Sequence, residues 1–368
     1  MPVTLEDEGF MRPALGLARR GLGRVWPNPA VGCVIVRDGR VVGRGWTADG
    51  GRPHAEPRAL TQAGDAARGA TAYVTLEPCA HTGQTPPCAQ ALIDAGVARV
   101  VIAMEDPDPR VSGRGAAMLT AAGIEVATGC LAEEAQNLNA GFVSRITTGR
   151  PMLTLKLATS LDGRIATGTG ESKWITGPRS RAQVHLMRAK YDAVLVGAGT
   201  VRSDNPRLDV RDVGIEGANP VRIVVTGGLT LVGDGYLGKT ASRIPLWLCH
   251  HDEAEEHRRK TWADRGAELL EIPFQPDGQL DLSAMMRTLG DRGITRVLCE
   301  GGGRLSAALL EANLVDEVVV FSAGQVLGAE GVASIGPMML EELRLAPKFN
   351  LVDVERIGPD IRSHWRRR

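Results

Sequence analysis

Apolar and polar positions along this chain follow two rhythms that succeed one another. In AVGCVIVRDGRVVGRGWT (30–47), two short apolar runs flank Asp38-Gly39, the pattern of a β-hairpin closed by a tight turn. Residues 5–20 before it predict an opening helix, and residues 54–63 after it predict another, with Pro57 tolerated in its first turn. Strand 70–76, helix 88–96, strand 99–104, helix 115–123 and strand 124–129 follow. Strands alternating with helices predict an α/β layer with mostly parallel strands. A helical stretch at 131–144 then gives way to RITTGRP (145–151), short, polar and ending in Gly-Arg-Pro. The domain boundary is placed there, giving units 1–147 and 148–368. Beyond it the alternation restarts, with strands at 152–158, 193–197, 221–226, 245–250, 296–301 and 317–323 and a helix at 180–191. The second unit is therefore also α/β, and no internal repeat or low-complexity tract interrupts either one.

Composition narrows the picture. A length of 368 residues suits two domains, and 43% hydrophobic with 23% charged residues is a globular composition. Lys+Arg and Asp+Glu both number 43, which argues against a nucleic-acid binder. The basic run Arg366–Arg368 is expected to be a solvated tail. No apolar run reaches the roughly 18 residues of a membrane span. The acidic start, MPVTLEDEGF, lacks the apolar core of a secretory signal. Six scattered cysteines do not resemble a secreted disulfide scaffold, so a cytoplasmic location is expected.

The chemistry-bearing residues cluster in 54–92. HAEPRAL (54–60) sets His54 two residues before Glu56, and TLEPCAHTGQTPPCAQAL (75–92) adds Cys79 and Cys88. One imidazole and two thiols leave a fourth tetrahedral position for water, the arrangement of a catalytic zinc site. Cys88 opens a predicted helix, where the dipole favours thiolate. Glu56 is not needed as a ligand and is placed to move protons between water and a departing amine. Zinc nucleobase deaminases combine these parts, with a shorter interval between the cysteines than the eight residues found here. Either cysteine alone would read as a small buried hydrophobe. Cys33, Cys130, Cys249 and Cys299 sit in or beside apolar strands and are expected to pack in the core.

His54-Ala55-Glu56, Glu77-Pro78-Cys79 and Thr85-Pro86-Pro87-Cys88, preceded by Trp26-Pro27-Asn28-Pro29-Ala30-Val31-Gly32, resemble the deaminase half of the bifunctional riboflavin-biosynthesis deaminase/reductases. EDPDPRVSGRG (105–115) resembles it too. The resemblance implies a cytidine-deaminase-like α/β/α domain. It also implies a small-molecule substrate, a diaminopyrimidinone carrying a phosphoribosylamino group, with Asn28 and His81 contacting it. Gln84 stands where a basic residue is expected in that loop, and no charge contact is assigned to it.

In the second half, LKLATSLDGRIATGTGESKWITG (155–177) reads as a strand feeding a Gly/Ser/Thr-rich loop. VLCEGGGRLSAALLEANLVDEV (297–318) reads as strand, glycine turn and helix, either a phosphate-binding turn or a structural one. Lys156 to Ile165, Gly170 to Thr176, Gly199 to Pro206 and Glu300 to Gly303 resemble the reductase half of the same family. That half is similar in fold to dihydrofolate reductase and uses NADPH. By resemblance Ala158, Trp174, Thr200, Asp204, Thr226, Gly302, Gly303, Arg304 and Leu305 line the cofactor site. Ser172, Arg188, Leu208, Arg211 and Glu300 face the substrate, whose ribosyl group is reduced to ribityl. The arginines suit a phosphate. Lys156 serves either a proton near the sugar or a structural ion pair. Residue chemistry alone does not separate NADPH from NADH. The resemblance also implies a homodimer or larger assembly. Two other readings start from the same residues: a deaminase fused to a regulatory nucleotide-binding domain, and a binding protein with structural zinc.

Overall fold

Thr4 starts the first helix. Its hydroxyl accepts the Asp7 backbone N–H at 3.2 Å, while the Asp7 carboxylate accepts the Thr4 N–H at 2.9 Å. Helix α1 (Leu5–Ala18) ends two residues earlier than expected, where the chain tightens into a 3₁₀ turn at Arg19–Gly21. Strands β1 (Gly32–Arg37) and β2 (Arg40–Trp46) form the expected hairpin, with φ of 52° at Asp38 and 70° at Gly39. Helix α2 (Ala55–Ala63), strand β3 (Thr71–Val74), helix α3 (Cys88–Asp94), strand β4 (Arg99–Ile102), helix α4 (Arg114–Ala121) and strand β5 (Glu125–Thr128) follow. The sheet order is β2-β1-β3-β4-β5. The last three strands run parallel, and the hairpin supplies an antiparallel edge. Met11, Leu15, Ile35, Val74, Ile102 and Leu119 are fully buried in this unit's core. This computed structural model describes residues 2–81, 86–109, 112–275 and 278–368.

One helix was expected over 131–144; two are found, α5 (Ala132–Leu138) and α6 (Ala140–Thr148). The break is Asn139. Its buried amide accepts the Ala30 N–H at 3.0 Å and donates to the Ala30 carbonyl at 3.1 Å, a two-way clamp that holds the approach to β1. Helix α6 runs through the expected boundary and stops at Gly149, whose φ is 72°. The chain divides into compact units at 149/150.

The second unit comprises β6 (Met152–Thr159), β7 (Arg164–Ala166), α7 (Pro178–Arg188), β8 (Ala193–Gly197), α8 (Ala198–Asp204), β9 (Val221–Gly227), α9 (Tyr236–Thr240), β10 (Leu246–His250), α10 (Glu256–Asp264), β11 (Glu268–Glu271), α11 (Leu282–Asp291), β12 (Arg296–Cys299), α12 (Gly303–Glu311), β13 (Glu317–Ser322), β14 (Val332–Ala333), β15 (Phe349–Ile357) and β16 (Asp360–Arg367). A nine-stranded sheet runs β11-β10-β9-β8-β12-β6-β13-β16-β15, and β14 pairs with β7 separately. From β11 to β13 the strands are parallel, so the loops leaving β6, β12, β8 and β9 gather along one edge. The last two strands are antiparallel. The basic terminus is no solvated tail. Arg366 and Arg367 belong to β16; Arg367 Nε donates to Val315 O at 2.7 Å and Arg368 Nε to Asn350 Oδ1 at 2.9 Å. Cys33, Cys130, Cys249 and Cys299 are fully buried. Among the described residues no helix is long and apolar enough to cross a membrane.

Candidate active sites

Two glycines seat the first ligand. A Cβ on Gly45 would lie 2.0 Å from Ala55 O, and one on Gly43 would lie 2.2 Å from Ala59 O. Helix α2 therefore rests on the backbone of β2, with His54 as its N-cap. Helix α3 opens at Cys88, whose N–H lies 3.3 Å from Cys79 Sγ. His54 Nδ1 is 3.2 Å from Cys88 Sγ and 3.8 Å from Cys79 Sγ. All three donor atoms fall within 4.8 Å of one another. Ligand atoms about a tetrahedral zinc are roughly 3.4–3.8 Å apart for bonds of roughly 2.0–2.3 Å, so the spacing fits.

The protons fit as well. Cys79 is pushed down to about 4, first by the hydrogen bond from Cys88 and then, against burial, by His54. Cys88 is pushed up by that same bond, by burial and by Glu56. His54 is pushed up, chiefly by its hydrogen bond to Cys79. Protons thus hold together three donors that a divalent cation would bind in their place. Glu56, in the first turn of α2, is 3% exposed, and burial holds its carboxyl above the usual range, with the Cys79 thiolate adding and His54 opposing.

Glu77, next to the cysteine turn, does something the sequence did not reveal. Its carboxylate accepts N–H groups from Gly113 at 2.9 Å and Ala116 at 3.1 Å, capping α4 from outside the helix. A Cβ on Gly115 would lie 2.0 Å from Pro78 O, so α4 backs directly onto the Glu77-Pro78-Cys79 turn. Asp106, buried beside it, is pushed up to about 6 by burial. Asn28 is half-buried against Gly51, three residues ahead of His54, and His81 is exposed two residues past Cys79. Gln84 lies outside the described residues.

The second unit gathers the other residues along its parallel edge. Arg188 grips Glu300 with two hydrogen bonds, of 2.6 and 3.0 Å, and Lys156 Nζ lies 3.9 Å from the same carboxylate. Burial alone would raise Glu300, but Arg188 and then Lys156 outweigh it and hold the group at about 2. Burial pushes Lys156 down, against the pull of Glu300. The Arg188 fork is therefore occupied rather than open; its remaining Nη1 donates to Asp209 O at 3.0 Å. Arg207 and Arg211 both bind the Asp209 carboxylate, at 2.9 and 2.5 Å. Lys156, Arg188, Arg207 and Arg211 meet Glu300, Asp209 and, through Arg211, the exposed Asp212, four cations against three carboxylates. That surplus suits an anionic ligand. Leu208, expected to face substrate, is 3% exposed and packs in the core.

The glycine turn leaves a cradle. A Cβ on Gly301 would meet Leu305 at 2.7 Å and one on Gly303 would meet Ala333 O at 2.6 Å, whereas one on Gly302 would meet only Thr200 Oγ1, at 3.7 Å. Helix α12 starts there with no side-chain cap. Two strands along, the buried Thr226 Oγ1 has no hydrogen-bond partner. An uncapped helix start and an orphaned hydroxyl on one sheet edge fit a dinucleotide. Ala158 sits two residues from Lys156 on β6 and so shares its face. Ser172 is half-buried, while Trp174, 64% exposed, lies under the Arg181 guanidinium at 4.6 Å. Asp204 and Arg304 are exposed and Leu305 is half-buried.

Comparison with known proteins decides the family. Residues 5–104 match the cytidine and deoxycytidylate deaminase zinc-binding region, and residues 151–363 match the RibD C-terminal domain. The riboflavin biosynthesis protein RibD of Escherichia coli is 43% identical over 98% of this chain and 99% of its own. The chain belongs to the RibD family. The Aquifex aeolicus RibD is 40% identical over 98% of each chain. The solved Acinetobacter baumannii RibD superposes with a TM-score of 0.89 at 40% identity, covering 99% of both chains. A Thermotoga maritima diaminohydroxyphosphoribosylaminopyrimidine deaminase/5-amino-6-(5-phosphoribosylamino)uracil reductase gives 0.86 at 37% identity, with the same coverage. As a RibD protein the chain is a bifunctional enzyme of riboflavin biosynthesis, a zinc-dependent deaminase and NADPH-dependent reductase, with a cytidine-deaminase-like and a dihydrofolate-reductase-like unit.

Proposed function

We propose that the first unit holds zinc with His54, Cys79 and Cys88 and removes an amino group from the phosphoribosylaminopyrimidine, while the second reduces the ribosyl group of the resulting uracil. The observation that carries this reading is the convergence of the three donors beside the buried carboxyl of Glu56. Zinc, when bound, makes water a hydroxide-like nucleophile near neutral pH. Glu56 Oε accepts the proton from water and passes it to the leaving amine, and its burial raises the carboxyl's affinity for that proton. Asn28, held by Gly51, orients the ring, and His81 meets the phosphoribosyl end.

In the second unit NADPH supplies the hydride. Ala158, Thr200, Thr226 and Gly302 to Leu305 on the parallel edge would hold it, with Trp174 and Asp204 at the margins of the site. Ser172, Arg211 and the backbone beside Leu208 hold the substrate, and the guanidinium groups of Arg207 and Arg211 beside Asp209 receive its phosphate. Lys156 Nζ, lowered by burial and steadied by Glu300, handles the proton at the sugar, while Arg188 positions Glu300. The chain works in the cytoplasm as a homo-oligomer.

One assay tests the scheme: metal content, ammonia release and NADPH oxidation measured on the purified chain. Stoichiometric zinc is expected, with ammonia from the diamino substrate and NADPH oxidation only once the deaminated product is present. NADPH binding without oxidation would remove the reductase assignment and leave a regulatory domain.

A further inference from the structure

The stretch from Asn28 to Gly32 lies ahead of β1, which begins only at Gly32, yet each of its backbone N–H groups has a partner. Asn28 donates to Val25 O at 2.9 Å, and Pro29 has no N–H to place. The next three amides go to side chains from three different parts of the first unit. Ala30 donates to Asn139 Oδ1 at 3.0 Å, Val31 to Thr47 Oγ1 at 2.9 Å and Gly32 to Thr75 Oγ1 at 3.0 Å. Each clamp is closed by a second bond. Asn139 Nδ2 donates to Ala30 O at 3.1 Å, Thr47 Oγ1 to Pro29 O at 3.1 Å, and the Thr75 N–H to Gly32 O at 3.0 Å. Asn139, Thr47 and Thr75 are 3%, 2% and 0% exposed, so water does not replace a partner that is removed.

Two of these clamps lead to the metal donors. Thr47 follows β2 and opens the loop to His54, which the Ala48 N–H closes on Pro53 O at 3.0 Å. Thr75 follows β3 and opens the turn that carries Cys79. At the free end of the stretch stands Asn28. Its side-chain amide lies so close to Gly51 that a Cβ there would come within 2.0 Å of Asn28 Nδ2. Asn28 and the donors thus hang on one frame. Asn139 is the member of that frame furthest from the donors in sequence; it sits at the break between α5 and α6, and its amide bonds to Ala30.

We infer that Asn139 is a positioning residue of the deaminase. Together with Thr47 and Thr75 it fixes residues 28–32, so that Asn28 meets the pyrimidine ring at a set place relative to His54, Cys79 and Cys88. The inference rests on the reading of Asn28 given above and deepens it. Without the Asn139 amide, the Ala30 N–H and carbonyl are left buried and unpaired, and the stretch shifts to find new partners. A shift of about 1 Å at a group that orients a substrate costs about 10²-fold in rate. The metal donors are held differently, by α2 on the backbone of β2 and by the start of α3, and they keep their places. The effect of Asn139 is therefore carried by Asn28 and by no other group at the site.

The test is a double-mutant cycle on kcat/KM for ammonia release, measured with the zinc-loaded full-length chain and the diamino substrate. Asn139→Ala is expected to lower kcat/KM about 10–100-fold, with zinc content and NADPH oxidation of the deaminated substrate at parental values. Asn28→Ala should lower kcat/KM at least as much. Asn28→Ala combined with Asn139→Ala should be no worse than Asn28→Ala alone, because the second change then has nothing left to misplace. Thr47→Val keeps its shape and loses both bonds; it should show the same non-additive pattern and serves if Asn139→Ala does not fold. Losses that multiply in the double variant would make Asn139 a general support of the fold and overturn the inference. So would zinc loss in Asn139→Ala, or parental kcat/KM in both Asn139→Ala and Thr47→Val while Asn28→Ala is impaired. Parental kcat/KM in Asn28→Ala itself would remove the reading of Asn28, and the inference with it.

Discussion

At the residue scale, two carboxylates of similar burial do opposite work. At Glu56 burial outweighs the pull of His54 and raises the carboxyl's pKa. Glu300 has two cations, and they take its proton off. Glu56→Gln keeps the shape and removes the base. Deamination should fall by about 10²–10⁴ fold, with zinc content and reduction of the deaminated substrate intact. Ammonia release at the original rate would remove Glu56 from proton transfer. Glu300→Gln instead strands Arg188 and Lys156 in a buried site. It should cost about 3–5 kcal/mol in urea unfolding of the second unit, along with NADPH oxidation. A loss under about 1 kcal/mol would mean that the pair is solvated. The His54, Cys79 and Cys88 set was legible in the sequence because imidazole and thiols at loop-to-helix junctions have few other uses. Glu77 was not: it caps N–H groups 36 and 39 residues away, and no local spacing signals that.

At the element scale, legibility followed how apolar each element is. The buried parallel strands announced themselves as continuous apolar runs. Helix α8 carries no buried residue and so showed no stripe, while β16 ends on the adjacent Arg366 and Arg367, so the terminal arginines read as tail. The support under α2 was invisible for another reason, since only the fold shows what Gly43 and Gly45 touch. Gly45→Ala would push Ala55 off β2 and His54 with it. It should destabilise the first unit by about 1–3 kcal/mol and lower zinc stoichiometry, read by thermal unfolding and metal analysis. Helix α1 is tied down by charge as well as packing. Asp7 pairs with Arg99 at 2.6 Å and accepts from Tyr73 at 3.1 Å, and Arg99 also binds Glu125 at 2.8 Å. Burial would raise Asp7, but Arg99 and Thr4 outweigh it and lower the group from 3.8 to about 2. A depressed carboxylate stabilises the fold above pH 3.8 and loses that contribution as pH falls toward 2. Asp7→Asn should therefore cost about 2–3 kcal/mol at pH 7, and the gap between variant and parent should close as unfolding is measured down to pH 2. A gap that stays constant with pH would assign the loss to shape rather than charge.

At the scale of the whole molecule, a net charge of zero hides local imbalance. The second unit gathers Lys156, Arg188, Arg207 and Arg211 around Glu300, Asp209 and Asp212, while the first draws its three donors together for a metal. Each unit has its own sheet and core, and each matches a separate family model. The metal should therefore matter to one chemistry and not to the other. Stripping the purified chain with a strong zinc chelator should abolish ammonia release and leave NADPH oxidation with the deaminated substrate unchanged. It should also lower the unfolding temperature of the first unit only, because a cation bound by the folded state stabilises what it binds. Stoichiometric zinc should restore ammonia release. Loss of both activities on chelation would show that the reductase depends on the metal-bearing unit, and the division of labour read from the two sites would have to be abandoned.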